Sequence, residues 1–229
     1  MKVKSFGFSV APQRDSVIVL GGGPSVTRHR NQILDYASKN GSLVLSANYA
    51  HDWIRSDYTH FVTNAKLREW SAVPRSPTNV IVRDVMLPLK IENLGKHKFY
   101  VICNQKAKTG AYFIKSLEMS PKGRFDYFNL GNAGFSALIL SVVFQPQKVL
   151  AVGFDGPSLD FTYKYNLNNE RVAYPPGYNR GRGKGKAKYF RKVLLPFILS
   201  RGIELESFQT DRFWGVPKDK LGVKAINAE

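Results

Sequence analysis

Five consecutive residues, Gly21, Gly22, Gly23, Pro24 and Ser25, stand between an apolar run at 17–20 and an amphipathic stretch that reaches Leu34. Between a strand and a helix, such a turn sets backbone N–H groups and the positive end of the helix against a phosphate. The same residues also suit a helix start, with Pro24 in the first turn and Ser25 as a nearby cap. The turn stops short of G-x-G-x-x-G, because Val26 holds the last glycine position, and it has no P-loop lysine. Asn48 ends the next apolar run, where a dinucleotide site usually carries an acidic ribose ligand. A mononucleotide or a nucleotide-sugar therefore fits better than NAD.

Candidate acid–base groups are few. Asp155 follows the apolar run at 149–153, and the exit ends of strands in open α/β sheets line the ligand crevice. It also begins the turn "DGPS", where a carboxylate caps the backbone. His51 follows Asn48 in "ANYAHDW", either facing a ligand or forming a surface pair with Asp52. Asp160 ranks third. No two-histidine spacing and no D-x-D pair is present, so no catalytic metal and no cofactor are expected.

The elements that must position these residues follow from hydrophobic patterning. Strand-like runs lie at 16–20, 43–47, 60–63, 80–83, 99–103, 127–130, 149–153 and 203–208, and helical patterns at 25–39, 134–144 and 187–201. Strands alternating with helices predict βαβ units and a mainly parallel sheet. A chain of 229 residues buries one substantial core, so a single α/β domain spanning 1–229 is expected. Residues 156–186, rich in Gly, Pro, Asn and Tyr, read as a long basic lid loop. Cys103, the one cysteine, sits in the apolar run "KFYVICNQ" as a buried spectator. No apolar stretch approaches the roughly 18 residues of a membrane span, and the first residues lack a signal-peptide core, so a cytoplasmic location is the expectation.

Charge points to the partner. Lys and Arg number 34 against 17 Asp and Glu, a net charge of +17, which favours polyanions: nucleic acid, anionic glycolipid or a membrane surface. From Arg171 to Gly202 there are nine cations and no acid. Arg180, Arg182, Lys184 and Lys186 alternate with glycines, and Lys188, Arg191 and Lys192 continue onto the helical pattern. Glycine allows close approach to a phosphate chain, and spaced cations match a repeating anion. A solvated loop with a basic helix face is the plain alternative.

Three segments, "VIVLGGGPSV", "VLSANYA" and "GNAGFSALILSVVFQPQKVLAVGFDG", occur in the same order and at similar spacing as the corresponding pieces of a known group. In this the chain resembles the bacterial lipooligosaccharide sialyltransferases and the related MAF-flagellin and hydroxymethylpterin-pyrophosphokinase-like domains. The resemblance covers residues 17–48 and 132–163. It implies a Rossmann-like domain of GT-A type and a nucleotide-sugar site. The diphosphate would lie at Gly21–Ser25, Asn48 would touch the nucleotide or donor sugar, Asn132, Ala133 and Gly134 would lie beside the donor, and Asp155 would sit near the ligand. Tyr163 matches the second of two tyrosines that carry the leaving phosphate, and Pro157 replaces the first. A phenol aimed at developing phosphate charge stabilises the transition state without a metal.

The family's general-base histidine has no counterpart in "NRGRGKGKAKYFRKVLL", and Leu130 stands where its sialate-binding arginine would lie. A neutral sugar is the favoured donor. The expected activity is metal-independent transfer of a sugar from a nucleotide-sugar to a polyanion, above all to hydroxylated bases of phage-type DNA. The alternatives are a lipopolysaccharide or glycolipid acceptor, a non-catalytic nucleic-acid-binding module, and a pterin-type pyrophosphokinase, for which an acidic Mg²⁺ cluster is missing.

Overall fold

A computed structural model of the chain describes residues 4–5, 11–72, 74, 76–83, 86, 97–102, 104–106, 112–114, 127–128, 132–155, 163–165, 171–173, 188, 190–208 and 223–227. The first half contains β1 (Lys4–Ser5), β2 (Ser16–Leu20), α1 (Ser25–Arg28), α2 (Arg30–Asn40), β3 (Leu43–Ala47), α3 (Ala50–Trp53), β4 (Tyr58–His60), α4 (Asn64–Ser71), β5 (Asn79–Arg83) and β6 (Lys98–Ile102). The second half contains β7 (Asn104–Lys106), β8 (Tyr112–Ile114), β9 (Tyr127–Phe128), α5 (Ala133–Ser141), β10 (Lys148–Val152), β11 (Tyr163–Tyr165), β12 (Arg171–Ala173), α6 (Leu195–Leu199), β13 (Glu204–Phe208) and β14 (Lys224–Ile226).

Nine strands form one sheet in the order β1-β6-β5-β4-β3-β2-β10-β13-β14, and every neighbouring pair is parallel. The α/β, Rossmann-like expectation is met, with the main sheet wholly parallel. The central strands β2, β3 and β10 are buried almost throughout because both faces of the sheet are covered there. Val17 and Val19 of β2 join Leu43, Leu45, Val149 and Ala151 under α5 and α6. Ile18 and Leu20 face the other way, with Val26, Ile33, Val44, Leu150 and Val152. A third cluster, centred on Trp70 and Phe61, extends that second layer under α4. Helix α5 is buried along almost its whole length, which suits the nearly all-apolar "AGFSALILS".

Local departures from the sequence pattern have physical causes. The helix expected at 25–39 is broken at His29 (φ −101°, ψ 24°), whose buried ring packs 4.7 Å from that of Phe208 on β13. The strand expected at 60–63 is Tyr58–His60 instead, because Thr63, extended, already caps α4. The pattern at 187–201 contains a π turn, Phe190–Leu194, before α6; Pro196 has no N–H to offer an α ladder there. Tyr127–Phe128 lies outside the main sheet, in the antiparallel β7-β8-β9 sheet. The expected lid loop at 156–186 contains an antiparallel pair, β11 with β12, and its remainder lies outside the described residues. Cys103 lies outside them as well.

From β2 the chain moves through β3, β4 and β5 to one side of the sheet, whereas β10 leads to β13 on the other. The sheet therefore reverses its winding between β2 and β10, the place where open α/β sheets bind ligands beyond their strand ends.

Candidate functional site

Two turns leave the sheet at this switch point, Gly21–Ser25 after β2 and Gly153–Asp155 after β10. They are knitted together. The Gly21 N–H donates to Val152 O (2.7 Å) and the Gly23 N–H to Gly153 O (2.9 Å). Two further bonds cross in opposite senses: the Ser25 N–H donates to Asp155 Oδ2 (3.0 Å), and the Gly153 N–H donates to Ser25 Oγ (2.8 Å). Asp155 thus anchors the start of α1, and Ser25, fully buried, anchors the exit of β10.

This clasp explains most of the glycines. A Cβ on Gly21 would lie 2.4 Å from Gly153 O, and one on Gly23 would lie 2.3 Å from Asp155 Oδ2. Gly153 has φ +81°, and a Cβ there would meet Val26 Cγ2 at 2.6 Å. Gly22 is different. It is exposed, with nothing within 4 Å of where a Cβ would stand, and its N–H has no hydrogen-bond partner among the described residues. Pro24 contributes no donor. Of the turn's amides at 21, 22, 23 and 25, Gly22 supplies the one still open to an anion.

Asn48 ends β3, beside β2. It adopts the left-handed conformation (φ 54°), which asparagine tolerates, and its N–H donates to His60 O (3.0 Å). Its side-chain Oδ1 is buried without a hydrogen-bond partner among the described residues. Buried acceptors are almost always satisfied, so the donor to this atom lies outside the described residues. Asn132 caps α5, its Oδ1 accepting from the Phe135 N–H at 3.1 Å. Gly134 lies against the Phe154 ring, where a Cβ would approach Cε1 to 3.1 Å. Helix α5 packs across β2, β3 and β4. Gly21–Ser25 and Gly153–Asp155 are in direct contact, and Asn48 and the start of α5 are joined through His60.

Other sequence candidates fall elsewhere. His51, expected to face a ligand or a surface partner, is buried in α3: Nδ1 accepts from the Ser56 N–H (3.0 Å), Nε2 lies 3.3 Å from Ser76 O, and the ring stands edge-on to Trp70. Ser56 and Ser76 precede β4 and β5, so the ring is tied to the N-terminal side of those strands rather than to the exit ends. Tyr163 is in β11, opposite Ala173. Asp160, Arg180, Arg182, Lys184 and Lys186 lie outside the described residues, while Lys188, Arg191 and Lys192 are exposed. Among the described residues no three His, Cys, Asp or Glu side chains are grouped to hold a metal ion, and no helix is long and apolar enough to cross a membrane.

Sequence reasoning missed His60 and Ser136, both wholly buried, with His60 Nε2 2.7 Å from Ser136 Oγ. The available signal was a histidine within the apolar run "YTHFV", where an imidazole must find partners.

No family model matches the chain, and no curated protein matches it in sequence. Its three-dimensional structure is similar to that of the MAf glycosyltransferase from Magnetospirillum magneticum AMB-1, with a TM-score of 0.62 at 13% identity. The likeness covers 100% of this chain and 36% of that one, so the chain spans about a third of that protein's length. What the two share at this identity is the fold.

Proposed function

We propose that this chain is a glycosyltransferase that holds a nucleotide-sugar donor across the β2–β10 switch point. The observation that carries the reading is the open donor of Gly22 at the switch point, in a fold shared with a glycosyltransferase. In this reading the diphosphate lies over the Gly21–Ser25 turn. Asn48 contacts the nucleotide or the donor sugar, and the Asn132–Gly134 turn borders the sugar.

The chemistry is displacement at the anomeric carbon. The bond to the departing phosphate oxygen breaks, the acceptor oxygen forms the new bond and passes its proton to the leaving phosphate or to water, and the nucleoside phosphate leaves. Backbone dipoles, Tyr163 and basic side chains would meet the charge growing on the leaving group, which lets the reaction proceed without a metal. Asp155 works through the turn it anchors, because its Oδ2 accepts the Ser25 N–H.

The acceptor in this reading is a polyanion, with hydroxylated bases of DNA first and an anionic glycolipid as the competitor; the net charge of +17 and the acid-free stretch at 171–202 support it. A thermal-shift panel of UDP-, GDP- and CMP-sugars tests the donor, since a ligand that binds only the native state raises its stability. One nucleotide class should raise Tm, and transfer should survive excess EDTA. A panel without any shift would remove the donor site.

A further inference from the structure

His60 lies in the shortest central strand and touches two elements of the proposed donor site at once. Its backbone carbonyl accepts the Asn48 N–H (3.0 Å), which helps hold that residue in its left-handed conformation. Its ring faces the opposite partner, α5. Nδ1 lies 3.0 Å from Ile81 O. A carbonyl only accepts, so Nδ1 carries a proton, and in the neutral tautomer that this fixes Nε2 presents its lone pair. In that tautomer the Ser136 hydroxyl donates to Nε2, 2.7 Å away. Ser136 stands four residues after the cap Asn132 and two after Gly134, in the first turns of α5.

A serine donating to an oriented imidazole has the form of an activated nucleophile. Both residues are 0% exposed, however, and leave no approach to Oγ for a substrate. We infer that His60 and Ser136 form a positioning pair that fixes the start of α5, with Asn132 and Gly134, relative to Asn48 at the β3 exit. The inference rests on the donor-site reading above. Helix α5 packs on β3 through apolar side chains, and His60 adds a polar link between the parts of that site that β3 and α5 supply. Misplacement of a binding group by even an ångström costs far more than a surface contact is worth, which gives a buried polar pair a function in an otherwise apolar layer.

The test uses Ser136→Ala and His60→Asn, the second retaining an N–H for Ile81 O while losing the acceptor for Ser136, together with the double variant. Without ligand, amide hydrogen exchange is read at Asn48 and Phe135, with Val149 and Ala151 in β10 as controls. Ser136→Ala should speed exchange at Asn48 and Phe135 by about tenfold, the scale of one ordinary hydrogen bond, with the β10 amides unchanged. The double variant should add little to either single change. Uniform acceleration across the sheet, or none, would overturn the inference.

In a second arm, UDP-glucose, GDP-mannose and CMP-N-acetylneuraminate are titrated into the wild type and variants well below their Tm. Any of the three bound by the wild type should bind Ser136→Ala more weakly by about tenfold. Undiminished affinity would overturn the positioning role. Binding of none by the wild type would sink the donor-site reading, while the exchange arm would still decide whether the pair joins Asn48 to α5.

Discussion

At the scale of single residues, glycines that look alike in sequence have different causes. Gly21 and Gly23 are required by packing of one turn on another, and only Gly22 is free of that demand. Gly23→Ala should destabilise the protein by about 1–3 kcal/mol, because its Cβ would meet Asp155 Oδ2 at 2.3 Å and Gly153 O at 2.8 Å. Gly22→Val should leave urea stability within about 0.5 kcal/mol of wild type yet weaken nucleotide binding, since the side chain would stand beside the open N–H. Undiminished nucleotide affinity in a folded Gly22→Val protein would take this turn out of the donor site. Asp155 separates its two readings through charge. Asp155→Asn keeps an acceptor for the Ser25 N–H and should retain most stability and donor affinity, whereas Asp155→Ala leaves a buried donor unsatisfied and should cost about 1–3 kcal/mol. A general base would lose turnover equally in both variants, so kcat of Asp155→Asn is the deciding measurement.

At the scale of elements, the sequence was most legible where a single demand governs it. Apolar runs bounded by turn residues located β2 and β3 to the residue, because strands covered on both faces need little besides continuous hydrophobicity. Elements set by tertiary contact were hidden: the break at His29 depends on Phe208, about 180 residues away in sequence, and α3 is too short to show a period. The clasp of Ser25 and Asp155 was half visible, with each residue legible as a turn former and their mutual bonds legible only once β2 and β10 are neighbours. Two tyrosines at element contacts, Tyr58 buried and Tyr36 half-buried, give a pH prediction. Tyr58 on β4 is pushed up to about 12, chiefly by burial and then by Tyr100 and Asp57. Tyr36 on α2 is also raised, by burial first and then by its hydrogen bond to Glu206. Both gain stability that is complete below the unfolded value of 10.0 and lost as the pH rises towards the folded one. Urea unfolding free energy should therefore fall between about pH 10 and about pH 12, and Tyr58→Phe, which keeps the ring against Phe144, should make that fall shallower. An unchanged slope in Tyr58→Phe would show that this phenol keeps its proton no more tightly in the native state than in the unfolded one.

At the scale of the whole molecule, the excess of cations over acids is the property that fold and donor site leave unexplained. One donor diphosphate carries only a few negative charges, whereas the chain carries a net +17. Within 171–202 the acids disappear while nine cations remain, and the exposed Lys188, Arg191 and Lys192 put the end of that stretch on the surface. If Arg180, Arg182, Lys184 and Lys186 meet an extended anion, each neutralised DNA phosphate contributes about −0.9 to the slope of log affinity against log salt. Replacing all four by alanine should then weaken duplex DNA binding and flatten that slope by roughly 3 to 4, with nucleotide-sugar affinity nearly unchanged. Measuring both ligands on the same variant matters, because a fall in donor affinity alone would move these cations to the leaving diphosphate. A DNA slope equal to that of the wild type would make the stretch a solvated basic loop. Competition by anionic glycolipid micelles against labelled DNA then separates the two acceptors: displacement at matched charge with transfer to lipid alone would replace the nucleic acid by the glycolipid while leaving the donor chemistry at the switch point as it stands.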